Sequence, residues 1–338
     1  MGHATRCIPV INALLAENYT VIIASDGEAL ALLKKVFPKL SFEVLPAYAI
    51  SYKPTFFGLK WQLIRKSFYN YNIYKKEQEF IKKLVKEKNL IGVISDNRFG
   101  VFSKEIPSVY ITHQLRVFSG LTTFITSKIH QNIIHNYSEC WVPDFEGKNN
   151  LSGALSHQIT LKTAVKYIKP LSQFTTPCVL KKHEYDYLIL LSGIEPKRSL
   201  LEQKLLTIFK EFKGTNALVQ GKVSSEKTVT KQGNISVFNY LLQEELQSLI
   251  CKSNVVICRS GYSSIMDMAV LNKNVFFIPT QGQTEQEYLA KHLKKTQIAP
   301  FANEIHFQLK DLEQLANYNG FNIKKNIQNW QELFRVFH

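Results

Sequence analysis

Acidic side chains are scarce: 27 Asp+Glu face 42 Lys+Arg across 338 residues, a formal net charge of +15. The deficit excludes an acidic, self-solvating chain, and it is uneven, with 22 Lys+Arg against 12 Asp+Glu in residues 1–170 and 20 against 15 in 171–338. Such an excess suits nucleic acid, anionic lipid or a phosphorylated substrate and does not choose among them. Cysteine is sparse too. Cys7, Cys140, Cys178, Cys251 and Cys258 are odd in number and form no CxxC pair, which argues against a disulfide framework or a zinc knuckle. A reduced, cytoplasmic setting is the expectation. No apolar run approaches the ~18 to 20 residues of a membrane-spanning helix. There is no Asp-x-Asp pair and no His/Cys cluster at metal-ligand spacing, so the expected chemistry uses no metal and no cofactor. Neither a fixed-period repeat nor a low-complexity tract is present.

What is present is an α/β pattern on a chain long enough for two domains of about 150 residues. Its clearest stretch runs from Asn254 to Ala290. Residues 255–258 and 275–278 are short, β-branched or aromatic runs that read as buried parallel strands. Ile265, Met266, Met268, Ala269 and Leu271 recur between them at helical spacing, which makes a strand–helix–strand crossover. Ligands sit where such strands end and helices begin, because the first helical N–H groups are unpaired and attract anions. Gly261 allows close backbone approach there, Ser260, Ser263 and Ser264 supply hydroxyls, and Asp267 lies two turns on, in reach of a ribose diol.

Arg259-Ser260-Gly261, an acid six residues later, and the Gln-rich turn 281–286 resemble the donor site of glycosyltransferase family 28. The resemblance implies the GT-B fold: two Rossmann-like domains facing across a cleft, here 1–170 on the acceptor side and 171–338 holding a nucleotide sugar, joined by a linker at 167–177. It also implies transfer of a sugar from a nucleotide diphosphate, UDP first among the candidates, with inversion. A Gly-His turn before the first helix, here Gly2-His3, is where such enzymes place a residue near sugar and acceptor. A His-Gln or His-Glu element, here His113-Gln114, follows the strand at 109–112.

Taken in order, residues 5–15, 27–36 and 60–88 read as helices, the last perhaps divided in two, and 20–24, 42–45, 90–95, 109–112 and 139–142 as strands, the last closing the first domain. Strands at 187–191, 217–220 and 235–238, a helix at 241–251 and a terminal helix at 323–336 follow, the last expected to pack back on the first domain. A Rossmann-like half should open with a buried strand feeding its glycine turn, yet here the turn comes first. The first domain is therefore expected to lack its first strand, and the reading frame to continue upstream of Met1.

His3 is the candidate base, with Asp96 orienting it; Arg98, His113 and Gln114 are expected on the acceptor side. Backbone N–H groups after Ser192-Gly193 and Ser260-Gly261, helped by Arg259, would meet the departing diphosphate. Gln283, Glu285 and Gln286 are expected at the sugar hydroxyls. Residues 60–88 carry nine Lys+Arg against three Glu, interleaved with aromatics such as Trp61, Phe68 and Tyr69. That pattern suits a solvated helix first and peripheral contact with anionic membrane second, at its inner face and beside a lipid-linked or cell-envelope acceptor. Nucleic acid is not expected as a partner. A nucleotide-sugar epimerase of the same fold and a non-catalytic nucleotide-sugar-binding protein remain open as other readings.

Overall fold

The computed structural model describes residues 2–47, 59–175, 177–178, 182–222, 226–323 and 328–338, apart from the side chains of 59–70. Met1, the aromatic side chains at 61, 68 and 69, and residues 324–327 of the expected terminal helix therefore lie outside the described residues.

The first half contains α1 (Gly2–Ala16), β1 (Ile22–Ser25), α2 (Gly27–Val36), β2 (Ser41–Val44) and α3 (Leu59–Lys88), the last a single 30-residue helix. It continues through β3 (Val93–Asp96), β4 (Ser108–Ile111), α4 (Thr123–Ile134), β5 (Glu139–Val142) and β6 (Ala164–Tyr167). All its strand pairs are parallel, but they form two sheets: β1-β2, and β3-β4-β5-β6. Among the described residues no strand joins β1 to β3, although Ala24 and Val93 share one apolar cluster.

The second half is one sheet of β7 (Tyr185–Leu190), β8 (Asn216–Val219), β9 (Val229–Gln232), β10 (Ile235–Phe238), β11 (Ser253–Cys258) and β12 (Val275–Phe277), in the order β12-β11-β7-β8-β10-β9. Only β9 is antiparallel. Helices α5 (Lys197–Phe209), α6 (Gln243–Lys252) and α7 (Tyr262–Val270) provide its crossovers, and α8 (Thr284–Lys295) follows β12. The strand–helix–strand unit is β11-α7-β12, and α7 buries Ile265, Met266, Met268 and Ala269, the residues at helical spacing. Two Rossmann-like domains thus make up the chain. Val109, Ile111 and Trp141 of the first share one buried cluster with Val256, Ile265 and Phe277 of the second.

Three expectations are corrected. The last strand of the first half is β6, not β5; it is a half-exposed edge strand whose Lys166 breaks any apolar run. The terminal helix is shorter than expected: α9 spans Trp330–Phe334, with Asn329 accepting the Glu332 N–H as its N-cap. Its Phe334 ring lies 5.6 Å from Tyr19 and 6.2 Å from Trp141, so this end of the chain packs on the first half. Phe337 fills the space above Gly92, where a Cβ would sit 2.2 Å from its ring. Finally, Cys178 and Cys251 are joined in a disulfide, which ties the chain beyond the linker to the end of α6. Cys7, Cys140 and Cys258 are free.

Candidate active site

Asp96 ends β3 at the carboxyl edge of its sheet, the edge where cleft residues belong in open α/β folds. Three side chains from the first turns of α1 converge on it. His3 Nδ1 lies 3.2 Å from Asp96 Oδ1, Arg6 Nε donates to Oδ2 at 2.7 Å while its Nη2 pairs with Oδ1, and Cys7 Sγ is 3.4 Å from Oδ2. Residues three and four apart on a helix share a face, which is why one carboxylate can meet all three. His3 thus stands in a helical turn and keeps more than half its side chain exposed, whereas Arg6 is buried. Burial works to raise the Asp96 pKa, but the Arg6 guanidinium, with His3, outweighs it and holds the carboxyl well below the usual range. Asp96 is thus an anion, hydrogen-bonded to His3 and paired with Arg6.

The other face of Arg6 meets His113, two residues beyond β4. Arg6 Nη1 is 3.3 Å from His113 Nδ1, and the imidazole lies flat on the Tyr262 ring, with centroids 4.2 Å apart. His113 Nε2 is 2.8 Å from Glu285 Oε1, and Gln114 Nε2 donates to Glu285 Oε2 at 2.6 Å. Glu285 belongs to the first turn of α8, so these bonds cross from one half to the other. The first turn of α7 does the same: Tyr262 Oη donates to the Pro143 carbonyl at 3.0 Å and Ser263 Oγ to that of Gly2 at 3.2 Å. The N-termini of α1 and α7 therefore meet.

The donor-side residues divide. Gly261 caps α7 with φ −70°, and a Cβ there would meet nothing within 4 Å. Gly193 lies in the exposed turn after β7 with φ +113°, also with open space at its Cβ, and Ser192 beside it is exposed. Ser260 is buried and donates to the Gln286 carbonyl at 2.8 Å. Gln286 accepts from Thr280 N at 2.8 Å and donates to Gln283 Oε1 at 2.5 Å, so these two glutamines shape their own loop.

Two expected cations are corrected. Arg259 is buried, and its Nη1 donates to the Ile278 carbonyl and to Glu304 Oε2 at 3.1 and 2.8 Å, so it braces β12 instead of entering the cleft. Arg98 pairs with Glu77 at 2.9 Å and donates to the Pro46 carbonyl at 2.9 Å, apart from the His3 cluster. Both guanidiniums sit near strand ends, where sequence spacing does not reveal which way a long side chain turns. Arg6 and Tyr262 were the residues missed. A lone arginine within the apolar periodicity of α1, three positions after His3, was the available signal for Arg6.

Asp267 accepts from Ser172 Oγ at 2.5 Å. Burial pushes its carboxyl up to about 7, against the opposing hydrogen bonds of Ser172 and Gln173. The native state then binds this proton more tightly than the unfolded chain, where an aspartate titrates near ~3.9. Stability from this group is therefore fully present at low pH and falls as pH rises towards about 7. Asp267→Asn should flatten that slope, leaving the melting temperature less sensitive to pH between 5 and 8 than in the wild type. Parallel melting curves for the two proteins across that range would reject the assignment.

Among the described residues, no three His, Cys, Asp or Glu side chains cluster as a metal site. Residues 195–331 match the model of the glycosyltransferase family 28 C-terminal domain. No curated protein sequence matches the chain. Among solved structures, the kitacinnamycin glycotransferase superposes with a TM-score of 0.63 at 13% identity, covering 93% of this chain and 86% of that one. SnogD, a glycosyltransferase from Streptomyces nogalater, gives 0.61 at 12%, covering 92% and 87%. MurG from Acinetobacter baumannii gives 0.53 at 12%, covering 99% and 90%. Such identities speak for the fold alone, while the domain match speaks for the chemistry. With its two Rossmann-like halves and that C-terminal domain, the chain is a glycosyltransferase of GT-B fold whose residues 195–331 are similar to the family 28 C-terminal domain.

Proposed function

We propose that the chain transfers a sugar from a UDP-linked donor to a hydroxyl of a lipid-linked or cell-envelope acceptor, with inversion and without metal or cofactor. The carrying observation is that α1 and α7 meet at their N-termini: Ser263 Oγ donates to the carbonyl of Gly2, the residue beside His3. An anion-attracting helix end thus sits next to the candidate base. In this reading His3 donates its Nδ1–H to Asp96, and its Nε2 takes the proton of the acceptor hydroxyl. The acceptor oxygen bonds to the anomeric carbon as the bond to the diphosphate breaks, its electron pair leaving on phosphate oxygen. Backbone N–H groups following Gly193 and Gly261 stabilise that charge, Asp267 receives the ribose, and Gln283, Glu285 and Gln286 the sugar. Residues 1–170 act as the acceptor domain and 171–338 as the donor domain.

A thermal-shift panel of UDP-, GDP- and TDP-sugars tests the donor. UDP-sugars should raise the melting temperature most, and a panel without any shift would overturn the reading. Release of free UDP without acceptor would favour the epimerase, and binding without turnover the non-catalytic alternative.

Peripheral attachment to anionic membrane belongs to the same proposal. No helix among the described residues is long and apolar enough to cross a membrane. The described part of α3 exposes Lys75, Lys76 and Tyr71, and Leu121, just ahead of α4, is exposed with Phe124, Ile125 and Ile129 of α4 beside Lys128. Rings and aliphatic groups flanked by ammonium groups fit a headgroup boundary, where each cation contributes about 1 kcal/mol. Vesicles containing phosphatidylserine should retain the protein and release it with rising salt. Equal partition to neutral and anionic vesicles would remove this part of the proposal.

A further inference from the structure

Among the polar contacts joining the two halves, Glu285 is held most fully, since both its carboxylate oxygens are bonded from the first half. His113 Nε2 lies 2.8 Å from one oxygen and Gln114 Nε2 2.6 Å from the other. The imidazole's hydrogen-bonding state follows from its neighbours. Arginine has only donors, so Nδ1 must accept from Arg6, and the proton on Nε2 points at Glu285. Burial pushes the His113 pKa down; Glu285 opposes this, and the positive charge of Arg6 adds to it. Tyr262 covers one ring face, 4.2 Å away. Glu285 retains 36% of its side-chain surface, enough for a further donor to reach it.

A chain of bonded groups therefore runs across the cleft: His3, Asp96, Arg6, His113, Glu285. We propose that His113 is a positioning residue for glycosyl transfer: it fixes the Glu285 carboxylate as the acceptor for a donor-sugar hydroxyl and, through Arg6 and Asp96, locks that sugar position to the base on the opposite wall. The assignment deepens the sugar-transfer reading and rests on it. It differs from a plain domain clamp, because a clamp would affect nucleotide and nucleotide-sugar binding alike. Under the positioning role, only ligands that carry the sugar depend on His113.

The experiment compares UDP with UDP-N-acetylglucosamine on the full chain carrying His113→Phe, which keeps the stack on Tyr262 and loses both polar bonds. Glu285→Gln serves as the companion, since its amide oxygen still accepts from His113. For His113→Phe, UDP affinity should stay within about twofold, UDP-N-acetylglucosamine affinity should fall about tenfold or more, and kcat should fall with it. Glu285→Gln should recover part of the sugar affinity relative to Glu285→Ala. Equal losses for UDP and the UDP-sugar, or no loss for either, overturn the positioning role. A readout without ligand is imidazole nitrogen NMR of the wild type, which should show His113 neutral with its proton on Nε2 at pH 7; a protonated ring or the other tautomer overturns the assignment. If the wild type binds neither UDP compound while the NMR result holds, the UDP-sugar reading fails and the functional part of this inference falls with it, leaving only the structural link.

Discussion

Gly261→Val should abolish donor binding and leave the fold intact. The backbone at Gly261, φ −70° and ψ 143°, is open to any L-residue, and a Cβ there meets no protein atom within 4 Å. The valine methyls would enter only the space in front of the α7 N-terminus. That is where the diphosphate must approach to receive the unpaired N–H groups of the first turn. A branched side chain there forces the phosphates out of hydrogen-bond range, and a loss of about 100-fold in affinity, some 2.7 kcal/mol, is a conservative expectation. Calorimetry with UDP-sugars measures it, and a melting temperature close to wild type confirms that folding was not the cause. Affinities unchanged for every nucleotide sugar would move the donor site elsewhere.

His3→Ala should remove turnover while sparing donor binding. The side chain is more than half exposed and bonds to Asp96, and its loss leaves Asp96 still paired with Arg6. Stability should change little. Loss of a general base typically costs about 10² to 10⁴ in rate. Here the expected drop is in kcat, with the donor Kd unchanged, and added imidazole should restore part of the rate. Asp96→Asn is predicted to behave differently, because it strips the buried Arg6 of its counter-charge; breaking such a pair costs about 3 to 5 kcal/mol. If His3→Ala turns over at the wild-type rate, the base must be sought elsewhere, with His113 no substitute, because both its nitrogens are already engaged.

The legible parts of this molecule were those with strong local signals. The β11-α7-β12 unit could be read because apolar runs and helical spacing alternate there without interruption, and its glycine lies where the helix begins. Strands β6 and β9 escaped because edge strands are exposed and carry lysine, so they show no apolar run. Arg259 and Arg98 looked like cleft cations for a related reason. Sequence position located their Cα atoms correctly at strand ends, but the counter-charges that turn them inward, Glu304 and Glu77, come from distant parts of the chain.

By itself the sequence determined the α/β class, the β11-α7-β12 crossover and the helix start at Gly261, all of which follow from local periodicity and turn chemistry. Only the tertiary structure decided that His3 and Asp96, 93 residues apart, touch, that Arg6 lies buried between Asp96 and His113, and that Glu285 reaches across to the first half. The reason is physical: periodicity dictates which face of an element is buried, whereas pairing between charged groups depends on how whole elements are stacked. A buried guanidinium is tolerated only where the fold brings carboxylates or other acceptors to it.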